Sequence, residues 1–145
     1  MTMNPIAPTV PTGAPTPHDA VPVPTGVVLF AHGSRDPLWR LPIEAVAQDL
    51  RARHPSTPVA CAYLELCEPA LPQAVTGLLA QGVRRVRILP VFFGMGKHAR
   101  EDLPELVREL AAAHPDIEWV TLPPAGEHPA LTRLLADLGV GALPA

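Results

Sequence analysis

Four short apolar runs alternate with segments of helical period, which predicts an α/β fold with a single open, mostly parallel four-stranded sheet of order 2-1-3-4 and helices on both faces. The runs are near-continuous in Val, Ile, Leu and Ala, the pattern of strands buried on both sides. Right-handed crossovers put strands one and three side by side with their helices on opposite faces. They also open a crevice beyond the carboxyl ends of those strands.

Taken in order, Gly26 to Ala31 is too short and too β-branched for a helix and reads as strand one, with His32 at its exit. Asp36-Pro37 has the chemistry of an N-cap and first helical position, with Pro42 delaying or kinking the helix. Ile43, Val46, Ala47 and Leu50 fix the apolar face of helix one, and His54-Pro55 stops it. Val59 to Leu64 is strand two, which leaves Glu65 and Glu68 at or beyond its end. Helix two runs from about Pro69 to Gln81 and stops at Gly82. Strand three, Val86 to Phe92, is interrupted by Pro90. Asp102-Leu103-Pro104-Glu105 reads as the capping arrangement of helix three, whose face is Leu103, Leu106, Val107 and Leu110 and whose stop is His114-Pro115. Ile117 to Leu122 is strand four, and a last helix carries Leu131, Leu134, Leu135 and Leu138 before Gly139.

A chain of 145 residues, 48% of them hydrophobic, supports one domain with a core and therefore one site region. Residues 1 to 24 stand apart. Seven of the chain's 20 prolines fall there with a single charged residue, Asp19, so this stretch reads as a disordered Pro-rich tail ahead of a domain over residues 25 to 145. It lacks the basic and apolar regions of a secretory signal, and no apolar run reaches the roughly 20 residues that span a bilayer. A cytoplasmic protein without a membrane partner is expected. Cys61 and Cys67 have neither the number nor the spacing of a disulfide framework or zinc knuckle. A net charge of -3 gives no footprint for nucleic acid.

The chemistry-bearing residues collect after the strands. His32 and His98 follow strands one and three, so both belong to the crevice at the switch point, and Glu65 approaches the same edge from strand two. Glu68 is the alternative carboxylate at that edge, and two imidazoles with either carboxylate suit a borderline divalent ion and leave positions for a substrate. His54 and His114 sit at helix C-termini, where the partial negative charge suits an imidazolium, and His128 is a rim candidate farther across the sheet. Ser34, Arg35, Lys97 and Arg100 flank the mouth, the cations being suited to anionic groups. The glycines around His32 and His98 fit neither the dinucleotide turn nor the P-loop, and Ser34 is in no nucleophile elbow. Two other readings use the same residues: a metal-binding or carrier module without catalysis, and a phosphate- or nucleotide-binding α/β domain.

Four segments together resemble the short-form CbiX/SirB class II tetrapyrrole chelatases. They are Ala31-His32-Gly33-Ser34-Arg35-Asp36-Pro37, Tyr63-Leu64-Glu65-Leu66-Cys67-Glu68-Pro69, Pro90 through Pro104 with Gly94-Met95-Gly96-Lys97-His98 at its centre, and Gly126-Glu127-His128-Pro129. The resemblance implies a chelatase-like half-fold that inserts cobalt or iron into sirohydrochlorin, in cobalamin or sirohaem biosynthesis. It implies that His32 and His98 supply the metal site and that Glu65 is a ligand or proton acceptor, and it implies a homodimer. No prosthetic group is expected; the divalent metal is a substrate, Co²⁺ or Fe²⁺, with Ni²⁺ also compatible with such ligands.

Overall fold

A computed structural model describes residues 22–144, so the Pro-rich tail reading lies outside the described residues except for Pro22–Pro24, which are exposed and without secondary structure. The elements in chain order are β1 (Thr25–Ala31), α1 (Leu41–Arg53), β2 (Val59–Tyr63), α2 (Leu71–Ala80), β3 (Arg85–Pro90), α3 (Lys97–Ala113), β4 (Glu118–Thr121), a 3-10 turn (Ala125–Glu127) and α4 (Pro129–Val140). The sheet is parallel with order β2-β1-β3-β4, as the apolar runs predict. Val28 faces Ala60 on one side and Ile88 on the other, so β1 is buried between its neighbours.

Alternation along the strands splits the core in two. Val28, Phe30 and Ile88 pack with Leu71, Val75 and Leu78 of α2 and with Leu103 and Leu110 of α3. On the other face Leu29, Ala31 and Tyr63 meet Ile43 and Ala47 of α1. Burying side chains of this size contributes about 1.5–3 kcal/mol each relative to exposure, so the first cluster, with two helices, holds most of the fold.

Three helix starts differ from the sequence reading. α1 begins at Leu41, with Pro42 in its first turn, because Asp36 is used elsewhere: its Oδ1 accepts from the Leu38 amide at 2.9 Å and closes a turn ahead of the helix. α2 begins at Leu71, where the Gln73 side chain accepts from the Ala70 amide at 2.9 Å. α3 begins at Lys97, five residues before Asp102, and carries Pro104 inside it. Pro104 withdraws one backbone bond without ending the helix, since Leu103 and Leu110 on either side of it are anchored in the core. β3 ends at Pro90, short of Phe92, although the Val91 amide still donates to the Phe30 carbonyl.

The last helix departs most. Its leucines have the predicted period, yet no residue of α4 is buried. The core is closed by α1, α2 and α3.

Tyr63 is only 2% exposed. Burial first, then negative charge on Cys61 and Glu44, pushes its phenol up to about 12. Because the folded-state value lies above the unfolded one of about 10, this group's contribution to stability is whole below pH 10 and is lost as pH rises from there towards 12. Tyr63 is the chain's single tyrosine, so the ultraviolet absorbance of phenolate reads it alone. A midpoint near 12 is expected in the folded protein; a midpoint near 10 would show the ring to be open to solvent.

Candidate functional site

β1 and β2 remain paired beyond their ends: the Leu64 amide donates to the Ala31 carbonyl at 2.9 Å and the Glu65 amide to the His32 carbonyl at 3.0 Å. His32 and Glu65 are thereby cross-strand neighbours, with His32 Nε2 3.2 Å from Glu65 Oε1. The close approach depends on Gly33. Its φ is +102°, and a Cβ there would stand 1.8 Å from the Glu65 carbonyl oxygen. Leu66 follows at φ 68°, a left-handed conformation that costs a non-glycine residue about 1 kcal/mol. The turn that presents Glu65 is thus held by backbone geometry on both strands.

His32 Nδ1 lies 3.2 Å from the Gly33 carbonyl oxygen. A proton on Nδ1 donated there leaves the Nε2 lone pair facing the carboxylate. Two ligand atoms each about 2.0–2.2 Å from a first-row divalent ion stand about 2.8–3.1 Å apart at octahedral angles and about 3.3–3.6 Å apart at tetrahedral ones. The observed 3.2 Å lies between the two. Protonation of the imidazole turns the same two atoms into an ion pair, so the position holds either a proton or a metal ion. Both side chains are nearly half exposed and open to an incoming ligand.

His98 belongs to the first turn of α3 and not to a loop. Its Nε2 is 2.8 Å from Asp102 Oδ2, one turn along. Asp102 is therefore a site residue that the sequence reading placed only as a helix cap. The spacing from His98 to Asp102 is the signal, and it becomes meaningful once the helix starts before His98. The carboxyl edge consequently carries two His–carboxylate pairs. Among the described residues no group of three or more His, Cys, Asp and Glu side chains stands close enough to hold one ion. The structure brings His32 and Glu65 together and gives His98 its own partner.

The remaining candidates divide. Ser34 Oγ accepts from the Asp36 amide at 3.1 Å and so shapes the loop that follows His32. Arg35 is exposed, Lys97 pairs with Glu101 at 3.9 Å, and Arg100 borders a cavity of about 380 Å³ with Met95, Thr121 and Glu127. Glu68 faces a different cavity, of about 390 Å³, beside Arg40, Arg51 and Tyr63, which leaves Glu65 as the carboxylate next to His32. His128 caps α4, its Nδ1 accepting from the Ala130 amide at 3.0 Å. His54 and His114 are C-caps, as their helix-end positions suggested. Burial raises the Cys61 thiol above its ordinary value, and this residue lies along β2, before the strand's end.

The unit is thus an open parallel α/β sheet with exposed His–carboxylate pairs beyond β1 and β3. The chain belongs to the CbiX family, whose model matches residues 26–138. A Methanothermobacter thermautotrophicus protein named sirohydrochlorin cobaltochelatase is 34% identical over 82 residues, 57% of this chain and 57% of that one. The crystal structure of a cobalamin biosynthesis CbiX protein from Marinobacter aquaeolei superimposes with a TM-score of 0.67 at 31% identity, covering 82% of this chain and 97% of that one. The sirohydrochlorin chelatase SirB of Bacillus subtilis, solved with cobalt, shares the fold with a TM-score of 0.70 at 20% identity, covering 81% of this chain and 50% of that chain. The chain thus spans about half the length of SirB and little more than half of the Methanothermobacter relative.

Proposed function

We propose that this protein is a chelatase that inserts Co²⁺ or Fe²⁺ into sirohydrochlorin. The observation that carries the reading is the exposed His32–Glu65 pair at ligand spacing in a CbiX chain. Insertion moves a dication into the ring and two pyrrole protons out of it. A site of one imidazole and one carboxylate suits this exchange: it gives up the ion without the barrier of a closed four-ligand cage, and the vacated atoms are bases for the departing protons. The charge lost as the metal leaves is restored by the two protons received. His98, held by Asp102, is a second imidazole for the ion or for a proton. Arg35, Lys97 and Arg100 would take the acidic periphery of the macrocycle, charge-assisted hydrogen bonds to its carboxylates orienting it.

We also propose a homodimer, which the match to only 50% of the SirB chain supports. We place the reaction in the cytoplasm, which agrees with two free cysteines. Among the described residues no helix is long and apolar enough to cross a membrane. The test is anaerobic incubation with sirohydrochlorin and Co²⁺, Fe²⁺ or Ni²⁺, followed by the absorbance change of the ring. Faster insertion than in protein-free controls is expected with cobalt or iron. Metal binding without any acceleration would establish a carrier and overturn the chelatase reading.

A further inference from the structure

Leu66 stands against its own conformational preference. Among the described residues it is the one non-glycine residue with a positive φ, 68°, where glycine or asparagine would sit with less strain. The fold gains little in return. Leu64 and Cys67 on either side of it pack on the core, whereas Leu66 belongs to neither core cluster and is 47% exposed. An exposed leucine is ordinary; an exposed leucine held in a strained turn points to a use outside the fold. It directly follows Glu65, whose carboxylate is 3.2 Å from His32.

A second apolar side chain stands beyond β3. Phe93 is 73% exposed, while its neighbour Phe92 packs on the core. The backbone there is fixed: the Gly126 amide donates to the Phe92 carbonyl at 2.8 Å, and a Cβ on Gly126 would stand 1.8 Å from the Phe93 carbonyl oxygen. The order β2-β1-β3 puts the exits that carry Leu66 and Phe93 on either side of the exit that carries His32. Neighbouring strands lie about 4.8 Å apart, so these two exits are about 10 Å apart. That span suits a planar ring of four pyrroles.

We propose that Leu66 and Phe93 are binding residues for the apolar face of the tetrapyrrole, one on each flank of the His32–Glu65 pair. The proposal names substrate contacts for the chelatase reading above and rests on it. The macrocycle is amphipathic, with an apolar conjugated face and carboxylates at its rim. Cationic side chains hold the rim but leave the ring free to tilt. Apolar contacts on two flanks fix the face, so that its nitrogens come over the ion.

Leu66→Asn, Leu66→Met and Phe93→Ser are compared with the wild type in the full chain by melting temperature, by Co²⁺ binding without the ring, and by quenching of sirohydrochlorin fluorescence. Leu66→Asn should keep the melting temperature or raise it by about 3 °C, because asparagine accepts the left-handed conformation. It should leave Co²⁺ affinity within about 2-fold of wild type and weaken ring binding about 10-fold, the effect of losing one apolar contact of this size. Phe93→Ser should weaken ring binding at least as much, with Co²⁺ affinity again unchanged. Leu66→Met, apolar and adaptable, should bind the ring within about 3-fold of wild type. Ring binding at wild-type strength in either Leu66→Asn or Phe93→Ser would overturn this assignment and leave the chelatase reading intact. A fall of more than about 5 °C in Leu66→Asn together with lost Co²⁺ binding would place the leucine in the fold and overturn it equally. A wild type that neither binds nor metallates sirohydrochlorin would overturn both.

Discussion

Gly33→Ala is expected to lower the melting temperature by roughly 10 °C and to reduce metal insertion at least 100-fold. Two effects act at one atom. The φ of +102° is outside what a side-chain-bearing residue adopts comfortably, and the new methyl would lie 1.8 Å from the Glu65 carbonyl oxygen. Backbone strain of this kind costs about 1–3 kcal/mol before the clash is relieved. A total near 3 kcal/mol corresponds to about 10 °C for a domain of this size. Relief means that the β1 exit and the Glu65 turn move apart, which breaks the bond from the Glu65 amide to the His32 carbonyl and separates the two side chains. Thermal unfolding followed with the insertion assay tests both parts. Gly94→Ala is the control, because a Cβ there meets nothing within 4 Å. If Gly33→Ala behaves like Gly94→Ala, the backbone approach does not position the pair.

The strands and their order are legible because burial on both faces leaves nearly uninterrupted apolar runs, and because right-handed crossovers admit few arrangements of them. The edge at which His32, Glu65 and His98 stand follows from that order. What was not legible depends on backbone or on partners. The start of α3 is capped by Gly96 without any side-chain bond, so Asp102-Leu103-Pro104-Glu105 offered the more persuasive N-terminus, and the His98–Asp102 pair was hidden with it. His128 reads as a rim candidate, whereas its position before Pro129 makes it a cap. The leucines of α4 show how far periodicity reaches. A row of apolar residues every three or four positions says that a face must be covered, and it cannot say whether the cover comes from the same chain.

Glu65→Gln should slow insertion by about 10²- to 10⁴-fold, the range for loss of a general base, while stability and sirohydrochlorin binding stay near wild type. The amide keeps the size and planarity of the carboxylate. It loses the negative charge that neutralises the ion and the basicity that receives a pyrrole proton. Glu65 is 43% exposed and its fixed contacts are those of its backbone, so its side chain is not part of what holds the fold. His32→Ala removes the other atom at 3.2 Å and should give a loss of similar size, with the double variant little worse than either single one, since the two act as a unit. Single-turnover absorbance measures the chemical step, and quenching of macrocycle fluorescence measures binding apart from it. Insertion by Glu65→Gln within a few-fold of wild type would remove Glu65 from the reaction and leave the His98–Asp102 pair as the remaining acceptor. Multiplicative losses in the double variant would mean that His32 and Glu65 serve separate steps and do not hold one ion between them.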